Sequence, residues 1–289
     1  VTLTWRALAA DAERLLASAG IESAAAEARH IISHVAIRQY AVSHVVLAPA
    51  PSADDAEAIR MLTAERAKRR PLQHVLGSMF FRGLELTSAP GVFTVRPETE
   101  LVAEAAIAEA THSGRAVIDL CTGSGAIALA VKAEVPSVDV VAVEVDPVAA
   151  AAARANAERL ELDVEVIEAD ALTDAPWVER WRGAAGVVVS NPPYVPAWHR
   201  DVMAPEALAD PDLALWGGGE DGMDIPARII ARGEELLAPG GLLVMEHASE
   251  QAGAVRAECE RAGLVNVESQ ADLPGETRFV TARRPAGHS

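Results

Sequence analysis

Apolar residues recur at helical spacing along the first eighty positions. Trp5, Leu8, Ala12, Leu15 and Leu16 form one stripe that runs up to Gly20, and Ala28, Ile31, Ile32 and Val35 form a second after Ser23. Ser52 and Asp55 have the spacing of a capping pair for a third helix, with Ile59 and Leu62 facing inward and Pro71 closing it. A small helical bundle is expected. Val75 to Leu86, with Gly77 and Gly83 as turn formers, suits a β-hairpin. The pattern divides the chain into a helical domain at 1–73, a hairpin linker at 74–90 and a larger domain at 91–289.

From residue 98 onward the pattern alternates between strands and helices. Ala116–Leu120, Val138–Val145, Val164–Glu168, Gly186–Ser190 and Leu242–Glu246 are short runs rich in Val, Ile and Leu, as buried parallel strands are. Helical stretches such as Pro147–Leu160 and Ile225–Leu237 separate them. Right-handed crossovers then predict a doubly wound α/β sheet that takes its ligand at the carboxyl ends of the strands. Arg278–Arg283, after the turn at Pro274 and Gly275, reads as a final antiparallel strand.

Composition narrows the function. Charges interrupt every apolar stretch well before the ~18 residues of a membrane span, and Val1–Ala10 has neither a basic leader nor a cleavage site, so a soluble, cytoplasmic protein with no membrane partner is expected. Two distant cysteines, Cys121 and Cys259, predict neither disulfides nor structural zinc. His30 and His34 lie one helical turn apart but lack an accompanying carboxylate, and no metal is expected. The net charge of -17 is unevenly spread: residues 1–85 carry ten Lys/Arg against nine Asp/Glu, the remainder fifteen against thirty-three. So acidic a body repels phosphate backbones, which disfavours a nucleic-acid partner. The one dense basic patch, Arg66, Lys68, Arg69 and Arg70, is either a solvated helix end or a docking point for a partner.

Asp119-Leu120-Cys121-Thr122-Gly123-Ser124-Gly125 follows the first strand of the larger domain and opens a helix. Glycines there let the backbone approach a ligand closely. Glu144 ends the next strand, 25 positions after Asp119, where a carboxylate can accept from two ribose hydroxyls. Asp146 is better read as a helix cap, since Pro147 suits the first helical position. A nicotinamide site has similar geometry, but the spacing G-x-G-x-x-G is absent. A nucleoside without a pyrophosphate fits better, and S-adenosylmethionine is the common one. Asp170, after the third strand and next to Ala171, is placed to accept from an adenine amino group.

Ser190-Asn191-Pro192-Pro193-Tyr194 directly follows the fourth strand. Successive prolines hold the backbone extended and leave carbonyls without local donors. The Asn191–Tyr194 string resembles the (N/D)PPY motif of class I amino-methyltransferases that act on planar nitrogens. An amide nitrogen is a poor nucleophile because its lone pair is delocalised. Asn191 can accept one N–H through its side-chain oxygen and the Pro192 carbonyl the other, aligning the nitrogen with the methyl group. Pro193 and Tyr194 complete the substrate-binding set, with Tyr194 expected to stack on the flat amide.

With its neighbours the chain resembles the release-factor N(5)-glutamine methyltransferase (HemK/PrmC-type) family over nearly its whole length. The resemblance lies in Pro71–Gly77, Arg96-Pro97-Glu98-Thr99-Glu100, Asp119–Leu129, Asn191–Tyr194, Leu213-Ala214-Leu215 with Gly218, Asp221 and Gly222, and Pro239–Glu246 with Gln251. It implies a class I, Rossmann-like methyltransferase domain. It also implies that S-adenosylmethionine is the methyl donor, that the helical domain recognises the partner, and that the acceptor is the glutamine of the Gly-Gly-Gln loop of peptide-chain release factors. Expected cofactor contacts are Cys121, Thr122, Gly123, Ser124, Gly125, Glu144, Asp170, Ala171 and Asn191, together with Glu98 and Thr99, and a monomer is expected.

Four positions depart from the family pattern: Cys121 for a glycine, Val95 for a proline, Asp210 for a glutamate and His247-Ala248 for Ile-Gly. Cys121 is expected to alter the turn slightly and to weaken cofactor affinity. The enzymatic rival is an adenine N(6)-methyltransferase of DNA or RNA, which would need basic, aromatic-bearing surface, whereas aromatic residues make up 4% of this chain. A catalytically dead, cofactor-binding scaffold is the rival from another class; intact Asn191 and Tyr194 speak against it.

Overall fold

The amino-terminal stripes become helices α1 (Trp5–Ser18), α2 (Ala24–Tyr40) and α3 (Ala53–Ala67), followed by the short α4 (Leu72–Leu76), in a computed structural model that describes residues 3–40, 45, 48–272 and 274–287. Leu8, Ala12 and Leu16 of α1 pack with Ala28, Ile31, Ile32 and Val35 of α2 and Ile59 of α3, whereas Leu15 points outward. Ser52 and Asp55 form the expected reciprocal cap, the Ser52 amide donating to Asp55 Oδ2 at 2.7 Å and the Asp55 amide to Ser52 Oγ at 3.1 Å. These helices belong to the first of two compact units, made of the described residues of Val1–Ser78 with Ser88–Pro90 and Ala204–Ala209.

That last segment resolves the basic patch. Arg66 is buried and donates to both oxygens of Glu27 and, at 2.7 Å, to Glu206 Oε1; Arg69 donates to Glu206 at 2.6 and 2.8 Å. Burial works against the Glu206 charge, but Arg69 and Arg66 outweigh it and hold its pKa at about 2. Lys68 and Arg70 pair with Glu65 on the surface. The patch is thus largely an internal ion-pair network, neither a bare solvated face nor a free cationic dock. Its acidic partner comes from a segment that follows the Asn-Pro-Pro-Tyr string in sequence.

The second unit comprises Met79–Thr87, Gly91–Met203 and the described residues of Asp210–Ser289. It opens with the hairpin β1 (Ser78–Phe81) and β2 (Leu84–Thr87), which starts later than the expected Val75 because Gly77 ends α4 with φ of +72°. Met79, Phe81 and Leu86 join the core of this unit, so the hairpin is part of it. In order follow α5 (Thr99–Ser113), β3 (Val117–Leu120), α6 (Ala126–Glu134), β4 (Val140–Glu144), α7 (Pro147–Arg159), β5 (Glu165–Glu168), α8 (Pro176–Trp181), β6 (Ala185–Ser190), α9 (Asp212–Leu215), α10 (Asp224–Leu236), β7 (Leu237–Glu246), α11 (Ala252–Arg261), β8 (Val265–Ala271) and β9 (Thr277–Arg283).

The seven strands stand in the order β5-β4-β3-β6-β7-β9-β8, parallel except for β9, which runs antiparallel to both its neighbours. Alternate residues of the central strands enter two separate cores. Val117, Val140 and Val187 face one, Ile118, Val141 and Val188 the other, which is why these strands read as continuous apolar runs. Edge strand β8 is mostly exposed and polar and carries no such signal. No helix among the described residues is long and apolar enough to cross a membrane.

Candidate active site

Strand register builds the site. Leu120 pairs with Val143 and with Ser190, and Ser190 with Met245. The next residue of each strand therefore falls in one row at the carboxyl edge of the sheet: Cys121, Glu144, Asn191 and Glu246. A doubly wound sheet places its ligand at this edge.

The β3–α6 turn is wound by left-handed residues, with φ of +59° at Cys121, +58° at Gly123 and +83° at Gly125. At Gly125 a side chain would meet Leu129 Cδ1 at 3.1 Å and Ala153 Cβ at 3.3 Å, so glycine is needed for close packing as well as conformation. Beneath the turn Asp119 is buried; its Oδ2 accepts from the Thr122 hydroxyl at 2.5 Å and the Ala128 amide at 3.2 Å. Burial pushes its pKa up to about 7 against these two bonds. Glu144 is also buried. Its Oε2 accepts from the Gly123 amide at 2.8 Å and its Oε1 from the Val145 and Asp146 amides, each at 2.9 Å. Burial raises its pKa too, and the three backbone bonds pull it back. Asp146 caps α7 as expected, accepting from the Val148 amide at 2.7 Å.

These bonds bear on the ligand. The amides of Thr122, Gly123 and Gly125 donate to Val143 O, Glu144 and Thr122 O respectively. A pyrophosphate at the Gly123 end of this turn would meet the Glu144 carboxylate. The set fits a nucleoside that carries no phosphate, with one acceptor site on Glu144 Oε2 left for a ribose hydroxyl. Burial holds the Cys121 thiol in its protonated form, so its departure from glycine brings no nucleophile to the site.

At the end of β6, Asn191 Nδ2 donates to Thr99 Oγ1 at 3.2 Å. Among the described residues no protein group donates to Asn191 Oδ1 or to the Pro192 carbonyl. Tyr194 donates its hydroxyl to Glu246 Oε1 at 3.1 Å. Burial, with Glu246 alongside, raises the phenol well above its usual pKa and keeps it protonated. The backbone of this turn is gripped from behind. Gln251 Nε2 donates to the carbonyls of Tyr194 and Asp221, both at 2.7 Å, and a Cβ at Gly222 would lie 2.3 Å from the Tyr194 oxygen.

One cavity brings together Thr99, Cys121, Thr122, Gly123, Ser124, Glu144, Asn191 and Pro193 of the expected set. It excludes others. Asp170 sits outside the walls with Oδ1 accepting from the Leu172 amide at 2.8 Å, Ala171 is buried in the core, and Glu98 is the capping position of α5. Gly125 lies behind the wall against α6 and α7, and Pro192 also stands outside the walls. Tyr194, expected to stack on the acceptor, is not among the cavity's walls and donates its hydroxyl to Glu246. Sequence reasoning missed Phe93 and gave Leu213 no role in the site; both line the cavity. Leu213 is an apolar residue that stays 52% exposed. Among the described residues no group of three or more His, Cys, Asp or Glu could hold a metal.

Residues 83–220 match the methyltransferase small domain family and residues 7–77 the PrmC N-terminal domain family. The release factor glutamine methyltransferase of Streptomyces coelicolor is 40% identical, over 95% of this chain and 96% of its own length. This chain belongs to that family. The release factor glutamine methyltransferase of Deinococcus radiodurans is 37% identical over 98% of this chain and 99% of its own length. Among solved structures, a methyltransferase from Pyrococcus furiosus covers 71% of this chain and 90% of its own, at 16% identity and a TM-score of 0.49. Family membership agrees with the open sheet edge, the glycine turn closed by Glu144 and the Asn-Pro-Pro-Tyr string described above.

Proposed function

We propose that the protein transfers the methyl group of S-adenosylmethionine to the side-chain amide nitrogen of the glutamine in the Gly-Gly-Gln loop of peptide-chain release factors in the cytoplasm, tuning translation termination. The observation that carries this reading is the pair of open acceptors at the end of β6, Asn191 Oδ1 and the Pro192 carbonyl, beside a cavity whose far wall is Glu144. A primary amide has two N–H groups in one plane, and two acceptors hold both. When bound, S-adenosylmethionine supplies an electrophilic methyl carbon on a sulfonium. Glu144 holds the ribose, and the Cys121–Ser124 turn forms the floor beneath it. Asn191 and Pro192 fix the amide plane, so the nitrogen meets the methyl in line, and they favour the partial positive charge that grows on its hydrogens. The exchange puts the nitrogen on that carbon in place of sulfur and releases one N–H proton.

Labelled S-adenosylmethionine, offered with a release factor, with its Gln→Ala loop variant and with duplex DNA, tests the reading. Label is expected on the intact release factor alone. Equal labelling of the Gln→Ala variant, or transfer to DNA, would overturn it.

A further inference from the structure

Pro192 carries one of the two open acceptors, yet neither it nor Pro193 has an N–H by which the backbone could be held in place. The Pro192 carbonyl can be aimed only from the two ends of the turn. Upstream the end is the sheet itself, where Ser190 pairs with Leu120 and Met245 and donates its hydroxyl to the Leu120 carbonyl at 2.7 Å. Downstream the chain has left β6, and a buried side chain takes over. Gln251, 4% exposed, donates from Nε2 to the carbonyls of Tyr194 and Asp221, both at 2.7 Å, and accepts from the Ala248 amide at 3.1 Å. Its orientation is settled by these partners, since carbonyls only accept and a backbone N–H only donates. Two glycines give it access. A Cβ at Gly222 would lie 2.3 Å from the Tyr194 oxygen and 2.9 Å from Gln251 Nε2, and one at Gly217 would lie 1.9 Å from the Gly222 oxygen and 2.8 Å from Tyr194 Cα. Backbone therefore packs on backbone here, and the Val195 amide adds a bond to the Leu215 carbonyl at 2.8 Å.

We infer that Gln251 is a positioning residue for methyl transfer: reaching the Tyr194 carbonyl past Gly217 and Gly222, it fixes the downstream end of the Asn-Pro-Pro-Tyr turn and so aims the Pro192 carbonyl at the acceptor amide. The inference rests on the role given to Asn191 and Pro192 above. Gln251 lies outside the cavity walls and acts only through the backbone it holds. Without Nε2 the Tyr194 and Asp221 oxygens lose a donor they share, and their like partial charges push that end of the turn away from its place.

The test is single-turnover methyl transfer to a release factor by the full chain, with the rate constant, half-saturation by release factor and cofactor affinity measured separately on each variant. Gln251→Met keeps length and bulk and removes both donors; the rate constant should fall on the order of tenfold or more, the cost of carbonyls left without their donor, while the two affinities stay within about threefold. Gln251→Glu keeps the shape and the bond from Ala248 but sets a carboxylate against two carbonyls, and should be slower still. A role in packing alone predicts the opposite, a rate constant near wild type for both, because such swaps conserve volume. Gly222→Ala pushes on the same Tyr194 carbonyl from another side and should also lower the rate constant while sparing cofactor affinity; it carries the test if a Gln251 variant does not fold. An unchanged rate constant, or a loss of cofactor affinity as large as the loss of rate, overturns the inference while leaving the reading of Asn191 standing. An unchanged rate for Asn191→Ala itself overturns both.

Discussion

Two turns of one domain, the β3–α6 turn and the Asn-Pro-Pro-Tyr turn after β6, face the same cavity and are held in opposite ways. The first is held within its own βαβ unit. Its amides close onto Val143, Glu144 and Thr122, and Asp119 ties its two ends together. The second holds little of itself. Thr99, Glu246 and Gln251 reach it from three other elements, and Gly222 packs against its backbone. A turn held within one local unit suits a ligand that returns in the same shape at each turnover. A turn gripped from outside, through the Tyr194 carbonyl and hydroxyl and the Asn191 amino group, keeps the Pro192 carbonyl and the Asn191 oxygen free for a substrate.

The sharpest way to break this contrast is through the acceptor turn. Asn191→Ala should slow single-turnover transfer by roughly 100-fold to 1,000-fold, the cost of one well-placed polar group, while barely changing cofactor affinity. Asn191→Asp keeps the acceptor oxygen and should retain more activity than alanine. If both are equally inactive, the amide's neutrality matters as much as its oxygen; if cofactor affinity falls with the rate, the two turns do not divide the work.

The next effect belongs to the cofactor turn. Glu144→Ala removes the ribose acceptor and the bonds from Gly123, Val145 and Asp146, and should weaken cofactor binding by roughly 1.5 to 3 kcal/mol. At saturating cofactor the transfer rate should stay close to wild type. Calorimetry that finds the affinity unchanged would move the nucleoside away from β4.

How legible each turn was in the sequence follows from the same difference. Asp119, Gly123, Gly125 and Glu144 act on one another across a single βαβ unit, and local spacing reveals such units. The central strands were legible because both faces are buried; the boundaries of β3, β4 and β6 fell within two residues of expectation, whereas β7 begins five residues before the expected Leu242. The support of the acceptor turn was not legible, since Thr99, Glu246 and Gln251 are brought together only by sheet order. Glu246 ends an apolar run and reads as a strand terminus. For Tyr194 a sequence shows the ring but not the carboxylate that accepts from its hydroxyl. Glu206 was equally hidden, lying within the catalytic sequence yet paired with Arg66 and Arg69 of the helical unit.

Asp119 beneath the first turn and Glu246 behind the second are buried carboxylates, and that gives a comparison in pH. Burial pushes both Asp119 and Glu246 up to about 7, from ordinary values near 4. Glu144 adds to the push on Asp119. Around Glu246, Thr99 and Tyr194 pull back, Glu98 pushes up and Arg278 pulls down. Between those ordinary values and about 7 the folded chain holds protons that the unfolded chain has lost, so this contribution to stability falls as pH rises and levels off above 7. His247, whose pKa burial lowers, works the other way. Denaturant unfolding of Asp119→Asn and Glu246→Gln should therefore show a flatter decline than wild type across pH 5 to 8. Parallel curves for all three would mean that these carboxylates stay ionised in the fold.

The smallest effect separates two left-handed residues of the same turn. Cys121 has φ of +59° and Gly125 of +83°, so both sit where a side chain costs roughly 1 to 2 kcal/mol. They differ in surroundings. Gly125 has Leu129 and Ala153 within 3.1 to 3.3 Å of where its Cβ would be, whereas the small thiol of Cys121 is accommodated beside the second core. Cys121→Gly should relieve the backbone cost, but it adds about 0.5 to 1 kcal/mol of unfolded-state entropy and gives up the sulfur contacts. The balance is a gain of no more than about 0.5 kcal/mol. Gly125→Ala saves the same entropy but meets both the conformational cost and the crowding, and should lose about 2 kcal/mol. Cofactor affinity should follow the same order, because Gly123, Thr122 and Ser124 lie between the two residues and move with them. Denaturant midpoints with Cys121→Gly well below wild type would show that the thiol's packing, and not the winding of the turn, is what this position contributes.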